Sequence, residues 1–377
     1  MTWRPDEREG SSGTEQAVGA VRPMTENDLP SVLGLYERVF GWTAHGDEES
    51  VREHLRDVLC RNPWRDLALP SLIYEDESGK IAGCLGVLPR AMLLDGRPIL
   101  AAVSHTFMVA PGSRSNLAAL SLAREFLSGH QEMSIAEGGT PSRRILERFG
   151  GSTTLLLSLR WTRPLRASRY ILSLLKRRGL PAAVSWACAP FCSAADALAP
   201  LLLGEPVRLP RPRSTGEALA SDELLECLSR MTVDRSLRPV YDRRSLEWLL
   251  ALLERRKGRG LLKRVAVRSG AGELLGWYLY YLQEGGISEV VQVGARRACM
   301  DEVLDHLFHD AYRGGALAVS GQVDPAAFQA LAARGSIFHH DGASWFLVHS
   351  KNPHVLSSVH RADVFLTRLE GEWCIGP

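Results

Sequence analysis

Apolar positions along the chain switch repeatedly between two spacings, and the switches divide it into strands and helices. Residues 17–24, AVGAVRPM, form a short apolar run that reads as a first strand. Thr25, Glu26, Asn27 and Asp28 supply a helix cap. Leu29, Val32, Leu33, Leu35, Tyr36, Val39 and Phe40 then fall on one helical face. A second amphipathic helix over 48–60 turns Val51, Leu55, Val58 and Leu59 inward. Strands follow at 72–74, at 81–89 running on through 92–94, and at 98–109, joined by turns at Glu77-Ser78-Gly79-Lys80 and Asp95-Gly96.

The stretch 103–126, VSHTFMVAPGSRSNLAALSLAREF, organises this half. Val103, His105, Phe107 and Val109 alternate as a strand does. Pro111 and Gly112 stop it, because proline removes a ladder donor and glycine tolerates turn geometry. A polar loop over 113–116 ends in Asn116, a good N-cap residue, and Leu117, Leu120 and 123–126 continue at helical spacing. A strand, a tight loop carrying Arg114 and a helix start bring free N–H groups and the positive helix end to one point, where a phosphate can sit. Beyond it a short strand over 133–136 ends in Glu137-Gly138-Gly139. A helix covers 141–149 ahead of Gly150-Gly151, and 155–159 reads as a further strand.

These residues resemble the acyl-CoA-binding motif of the GNAT superfamily of N-acyltransferases, a strand ending in V-x-P followed by R/Q-x-x-G-x-G/A at a helix start. Here Val109-Ala110-Pro111 is followed by Arg114-Ser115-Asn116-Leu117-Ala118-Ala119. The valine, proline, arginine and final small residue match, and Leu117 stands where the motif has its central glycine. The opening R-P-M-T-x-x-D-L-P at 22–30 is similar to the start of many GNAT domains. ILERFGG at 145–151 resembles the superfamily's y-x-k-x-G-F helix end, with Phe149 before the glycine. The resemblance implies that Phe107, Met108 and Val109 run along pantetheine through their backbone, and that Arg114, Ser115, Asn116, Leu117, Ala118 and Ala119 surround the pyrophosphate. It implies acetyl-CoA or another acyl-CoA as co-substrate, with no metal. Glu137 ends a strand beside the cradle, where family members put catalytic or acceptor-binding groups. His105, which titrates near neutrality, is the other candidate base.

The next segment changes character. Arg160, Arg163, Arg166, Arg169, Lys176, Arg177 and Arg178 make 160–178 strongly basic, and 180–203 is mostly apolar. Pro181, Pro190 and Pro200 are expected to break that run, and Asp196 is costly inside lipid, so a spanning helix is disfavoured. The expectation is a helical linker over 166–213, with peripheral contact to an anionic membrane surface through 166–204 and a proline-rich connector over 206–212.

From 214 the element order begins again. Helices are expected at 221–231 and 245–253, strands at 264–268, 274–282 and 289–293, and a loop at 294–298. A helix at 300–312, a strand at 317–320, a helix at 325–333 and a strand at 345–349 follow. This order implies a second GNAT-like domain, although its loop Gly294-Ala295-Arg296-Arg297-Ala298 lacks the cradle motif. Strand alternation puts Tyr278 and Tyr280 on one face and Trp277 and Tyr281 on the other. Tyr278, Glu289 and Gln292 are therefore acceptor-binding candidates, with core packing as the competing role for the tyrosine. An aromatic end, Glu370-Gly371-Glu372-Trp373, is expected to dock on the body.

The fold class is then α/β (α+β), two GNAT-like domains, each a mixed, mainly antiparallel sheet flanked by helices. The expected boundaries are 1–16 (a polar tail without a signal-peptide core), 17–165, 166–213 and 214–377. Near-balanced charge, 45 Lys and Arg against 43 Asp and Glu, demands no nucleic-acid partner, and seven scattered cysteines without zinc spacing fit a reducing cytoplasm. The expected activity is transfer of an acyl group, most simply acetyl, to the amine of a small molecule or sugar. One alternative is a Fem-type peptidyltransferase drawing on aminoacyl-tRNA, which the basic segment would suit. The other is a non-catalytic scaffold. An internal pseudo-dimer or a homodimer are the expected assemblies.

Overall fold

The computed structural model describes residues 19–42, 47–112, 115–202, 209–296, 298–340, 342 and 344–376. In chain order the first half holds β1 (Ala20–Pro23), α1 (Leu29–Phe40), α2 (Glu48–Cys60), β2 (Leu72–Glu75), β3 (Ile81–Leu94), β4 (Arg97–Val109), α3 (Ser115–Ser128), β5 (Met133–Gly138), α4 (Thr140–Arg148) and β6 (Ser152–Thr153). Then come α5 (Leu155–Ser158), β7 (Arg160–Pro164), α6 (Ala167–Arg177), α7 (Ala182–Leu202), β8 (Thr215–Ala218), α8 (Ser221–Arg230), β9 (Leu237–Pro239) and α9 (Arg243–Arg255). The remainder is β10 (Leu261–Arg268), β11 (Leu274–Leu282), β12 (Ile287–Ala295), α10 (Met300–Arg313), β13 (Ala318–Gln322), α11 (Phe328–Ala333), β14 (Ile337–His339), β15 (Trp345–His349), α12 (Pro353–His360) and α13 (Glu372–Ile375).

Local chemistry accounts for the main joints. Asp95 and Gly96 both have positive φ, 49° and 79°, which closes the two-residue hairpin between β3 and β4 with the twist the strands require. Asp28 closes a capping box with Thr25, and Arg22 clamps Asp28 at 2.7 Å and Glu75 at 2.6 Å, tying the start of α1 to β1 and β2.

Two sheets result. The first runs β1-β2-β3-β4-β5-β15-β6 with β9 on the far end of β3, and the second runs β14-β7-β13-β12-β11-β10-β8. Each contains a strand from the other half: β15 pairs with β5, and β7 pairs with β13 and β14. The sheets therefore cross the expected boundaries at 165 and 214. The shared core explains why, since Leu88, Val103 and Ile135 of the first sheet pack in one cluster with Trp277, Leu279 and Tyr281 of the second.

Two expectations are corrected here. Residues 155–159 are not a strand but mostly the single turn α5, in which Ser158 N–H bonds back to Thr154 O; a short apolar run cannot be assigned by periodicity alone. Nor do the prolines break 180–203. Pro181 precedes α7, and Pro190 sits on its solvent face, so the Trp186 carbonyl it leaves unpaired can be hydrated.

In both sheets a parallel strand pair opens into a wedge. β4 and β5 pair at Ala101↔Met133, Ala102↔Ser134 and Val103↔Ile135 and then part. β12 and β13 pair from Ile287↔Ala318 to Glu289↔Ser320 and then part. The end of the chain fills the second wedge with 366–368: Arg368 Nη1 donates to Val290 O at 3.2 Å, and Gln292 Nε2 donates to Thr367 Oγ1 at 3.2 Å. It then crosses to the first, where α13 packs on β4 and β5.

Candidate active site

β4 is kinked where it leaves β5. Between Cys84↔Met108 and Gly86↔His105 it carries two residues, Thr106 and Phe107, opposite Leu85 alone, and Thr106 adopts φ 50°. A β-branched residue in the left-handed region is strained and persists only when its surroundings hold it there. What it faces is the chain's own tail: the Thr106 N–H donates to Glu372 Oε1 at 2.9 Å.

Glu137, at the end of β5, meets the same tail. Its Oε1 lies so close to Gly371 that a Cβ there would stand 1.7 Å away, so only glycine lets the two approach. The carboxyl lies deep in the protein yet lines a narrow cavity of about 60 Å³ with Leu157, Arg160, Phe346, Arg368 and Trp373. Burial pushes Glu137 up to about 7, opposed by the Arg368 guanidinium and by the Trp373 and Glu372 amides. Burial and then repulsion from Glu137 push Glu372 up to about 8. The pair thus holds a proton near neutrality and can give up or accept one at working pH.

A basic wall stands opposite. Arg256, Arg259 and Arg368 approach the Trp373 ring with guanidinium carbons 4.8, 5.4 and 4.5 Å from its centroid. Glu289 balances part of that charge through Arg160 at 3.0 Å and Arg259 at 2.6 Å. Burial lowers Arg368 to about 9, with Arg160 repulsion adding to it.

The expected site residues fall in three places. Glu137 is in the cluster, and Glu289 is beside it through Arg160 and Arg259. Phe107, Met108 and Val109 continue β4 past the kink, Met108 and Phe107 packing into core clusters. Ser115, Asn116, Leu117, Ala118 and Ala119 form the first turn of α3; Arg114 lies outside the described residues.

Three candidates lie apart from this cluster. His105 is wholly enclosed, its ring over Gly86 of β3 and its Nδ1 on Thr106 Oγ1 at 3.0 Å. Burial holds it near 3, hence neutral. Tyr278 is packed under α10 with its hydroxyl on His306 at 2.9 Å, so the aromatic strand face is core. Gln292 is buried, accepting from Trp277 Nε1 at 3.0 Å. Thr106, Arg368, Glu372 and Trp373 were missed. The signal was Glu370-Gly371-Glu372-Trp373, two acids around a glycine ahead of a tryptophan, which has no local partner to reveal its role.

Among the described residues the two wedges differ in charge at the helix start beside them. The first turn of α3 has no acidic residue; Ala118 and Ala119 pack inward, and Leu117 turns out to solvent, 44% exposed, clear of the backbone. The first turn of α10 carries Asp301 and Glu302. The cavity of about 750 Å³ at its start is lined by Asp234, Asp324 and Asp363 against Arg235, a net acidic wall that disfavours a pyrophosphate.

By sequence, no family model and no curated protein matches the chain. Solved structures do. It aligns with a conserved protein of unknown function from Enterococcus faecalis V583, described as a probable N-acyltransferase (11% identity, TM-score 0.58, 89% of this chain and 73% of that one). A GCN5-related N-acetyltransferase from Anabaena variabilis aligns equally well (12% identity, TM-score 0.58, 89% and 73%). The chain has the GNAT fold. N-myristoyltransferase from Saccharomyces cerevisiae with bound myristoyl-CoA also aligns (12% identity, TM-score 0.51, 88% and 78%). The alignment spans nearly nine-tenths of this GNAT-fold chain, which holds two sheets.

Proposed function

We propose that the chain is an N-acyltransferase that takes an acyl group, most simply acetyl, from acyl-CoA and moves it to the amine of a small molecule or sugar. The carrying observation is that Glu372 accepts from the Thr106 N–H at the open end of the β4–β5 wedge, with the Glu137 carboxyl close enough to repel it. A bound acyl-CoA supplies an activated thioester. The chain then has three tasks. The start of α3, with Arg114, holds the pyrophosphate. The Thr106 N–H stabilises negative charge on the carbonyl oxygen once that oxygen takes the place of Glu372 Oε1 on it. The carboxylate pair takes one proton from the acceptor's ammonium and so frees the lone pair that attacks. An N–C bond forms as the C–S bond breaks, the second proton on nitrogen passes to the leaving thiolate, and the first is released from the carboxyl to solvent.

Thermal unfolding with acetyl-CoA, CoA and longer acyl-CoAs tests this reading. A ligand bound to the native state alone raises stability by about 2.7 kcal/mol at a hundredfold excess over its Kd. Arg114→Ala should lose that shift. Glu137→Gln should keep the shift and lose turnover. No shift with any thioester would overturn the reading.

A further inference from the structure

The hairpin α6–α7 belongs to neither sheet. Arg166 fastens its root by donating to the carbonyls of Ala316 and Tyr312, and beyond that α7 packs chiefly against α6. Its amphipathicity is reversed. Asp196, the one charged residue of α7, points inward, where its carboxylate accepts from the N–H of Ser168 at 2.7 Å and of Arg169 at 3.2 Å and caps α6. The outward arc holds Val184, Trp186, Phe191 and Leu198 with alanines, Pro190 and Ser193 between them, and no charge. Trp186 is 82% exposed and Phe191 77%. Ile171 and Leu175 extend the patch onto α6. Soluble helices turn their polar face outward, and a contiguous apolar patch of this kind marks an interaction surface.

Charge selects the partner. Lys176, Arg177 and Arg178 end α6 just ahead of the turn at Gly179 (φ 99°). All three are exposed, and none has an acidic partner among the described residues. A second copy of the chain, packed face to face, would bring no acid to oppose them. We propose that the hairpin docks on an anionic lipid bilayer, with its apolar arc at the boundary of headgroups and acyl chains and Lys176, Arg177 and Arg178 on lipid phosphates. It lies flat and does not cross. α7 alone, with 21 residues, is long and apolar enough to cross, but α6 has 11 residues, about 16 Å of helix, and the Asp196 bonds hold α7 alongside it. The inference is independent of the reaction at the wedge.

Co-sedimentation of the full chain with vesicles is the test, using phosphatidylcholine alone and phosphatidylcholine with about a third phosphatidylglycerol. The anionic vesicles should bind the protein, more weakly as salt rises, and the neutral ones should bind it far less. Lys176→Ala/Arg177→Ala/Arg178→Ala should weaken binding about a hundredfold, and Trp186→Ser/Phe191→Ser about tenfold. Circular dichroism and thermal midpoint should not change, because these side chains support no core. No pelleting with either vesicle, or equal pelleting of wild type and both variants, would overturn the proposal. So would a dimer in vesicle-free buffer that Phe191→Ser converts to monomer, because the face would then belong to a second copy.

Discussion

The Thr106 N–H donates to Glu372 Oε1 across 2.9 Å, and this bond joins the kink of β4 to the far end of the chain. It ends a strap that first lodges Arg368 in the second wedge and then brings Glu372 into the first. The carboxylate pair therefore exists only when both halves and the tail have folded together. Local opening of the tail would dissolve the site without unfolding either sheet.

Glu137→Gln should lower kcat about 10²- to 10⁴-fold, the usual worth of a general base, with little change in KM for the acyl donor. Thiol release in the presence of an amine measures it. A loss below threefold would remove Glu137 from the chemistry.

Both carboxyls are raised above their unfolded values, which fixes the sign of two pH effects. Between about pH 5 and 8 the folded protein holds a proton that the unfolded chain has released, so stability should fall as pH rises through that window. Glu372→Gln should flatten the slope in urea unfolding. Turnover should instead rise with pH over the upper part of the same window, as the pair becomes the base.

Gly371→Ala isolates the closeness of the tail. Its φ of −92° suits alanine, so any effect comes from the collision with Glu137 Oε1. A loss of about 1–3 kcal/mol, with kcat falling more than KM rises, is expected from denaturant unfolding and steady-state kinetics.

Trp373→Ala removes the ring that three guanidinium groups approach and leaves their charges facing one another. Stability should fall by about 2 kcal/mol, less than for a fully enclosed tryptophan. High salt should recover part of the loss, which a purely apolar cavity would not allow.

His105 is enclosed and neutral. His105→Gln should lower the thermal midpoint while leaving the pH dependence of turnover in place, and Gly86→Ala, whose Cβ would meet the imidazole at 2.2 Å, should destabilise similarly. A lost limb in the pH–rate profile of His105→Gln would return it to the chemistry.

Much of the architecture was legible because it rests on short-range rules. Amphipathic spacing marked α1, α2, α8, α9 and α10, the turn at Asp95-Gly96 marked the β3–β4 hairpin, and V-x-P ahead of Arg114 marked the start of α3. The position of Glu137 at the end of β5 was legible from the short apolar run that precedes it. The errors came where local preference was ambiguous or overruled. At 155–159 a short, mostly apolar run closed into a turn over 155–158, and at Pro190 hydration of a solvent-facing carbonyl let α7 continue.

By itself the sequence determined most of the elements, their order in each half and the strand-loop-helix at β4 and α3, since all three depend on residues within a few positions of one another. Tertiary structure alone decided the exchange of β7 and β15, the filling of the second wedge and the pairing of Glu137 with Glu372. Those depend on which apolar faces bury each other in a core shared by both sheets. Nothing near Thr106 in the chain announces a carboxylate 266 residues away. Only when that core closes is the tail carried to the one backbone N–H turned to receive it.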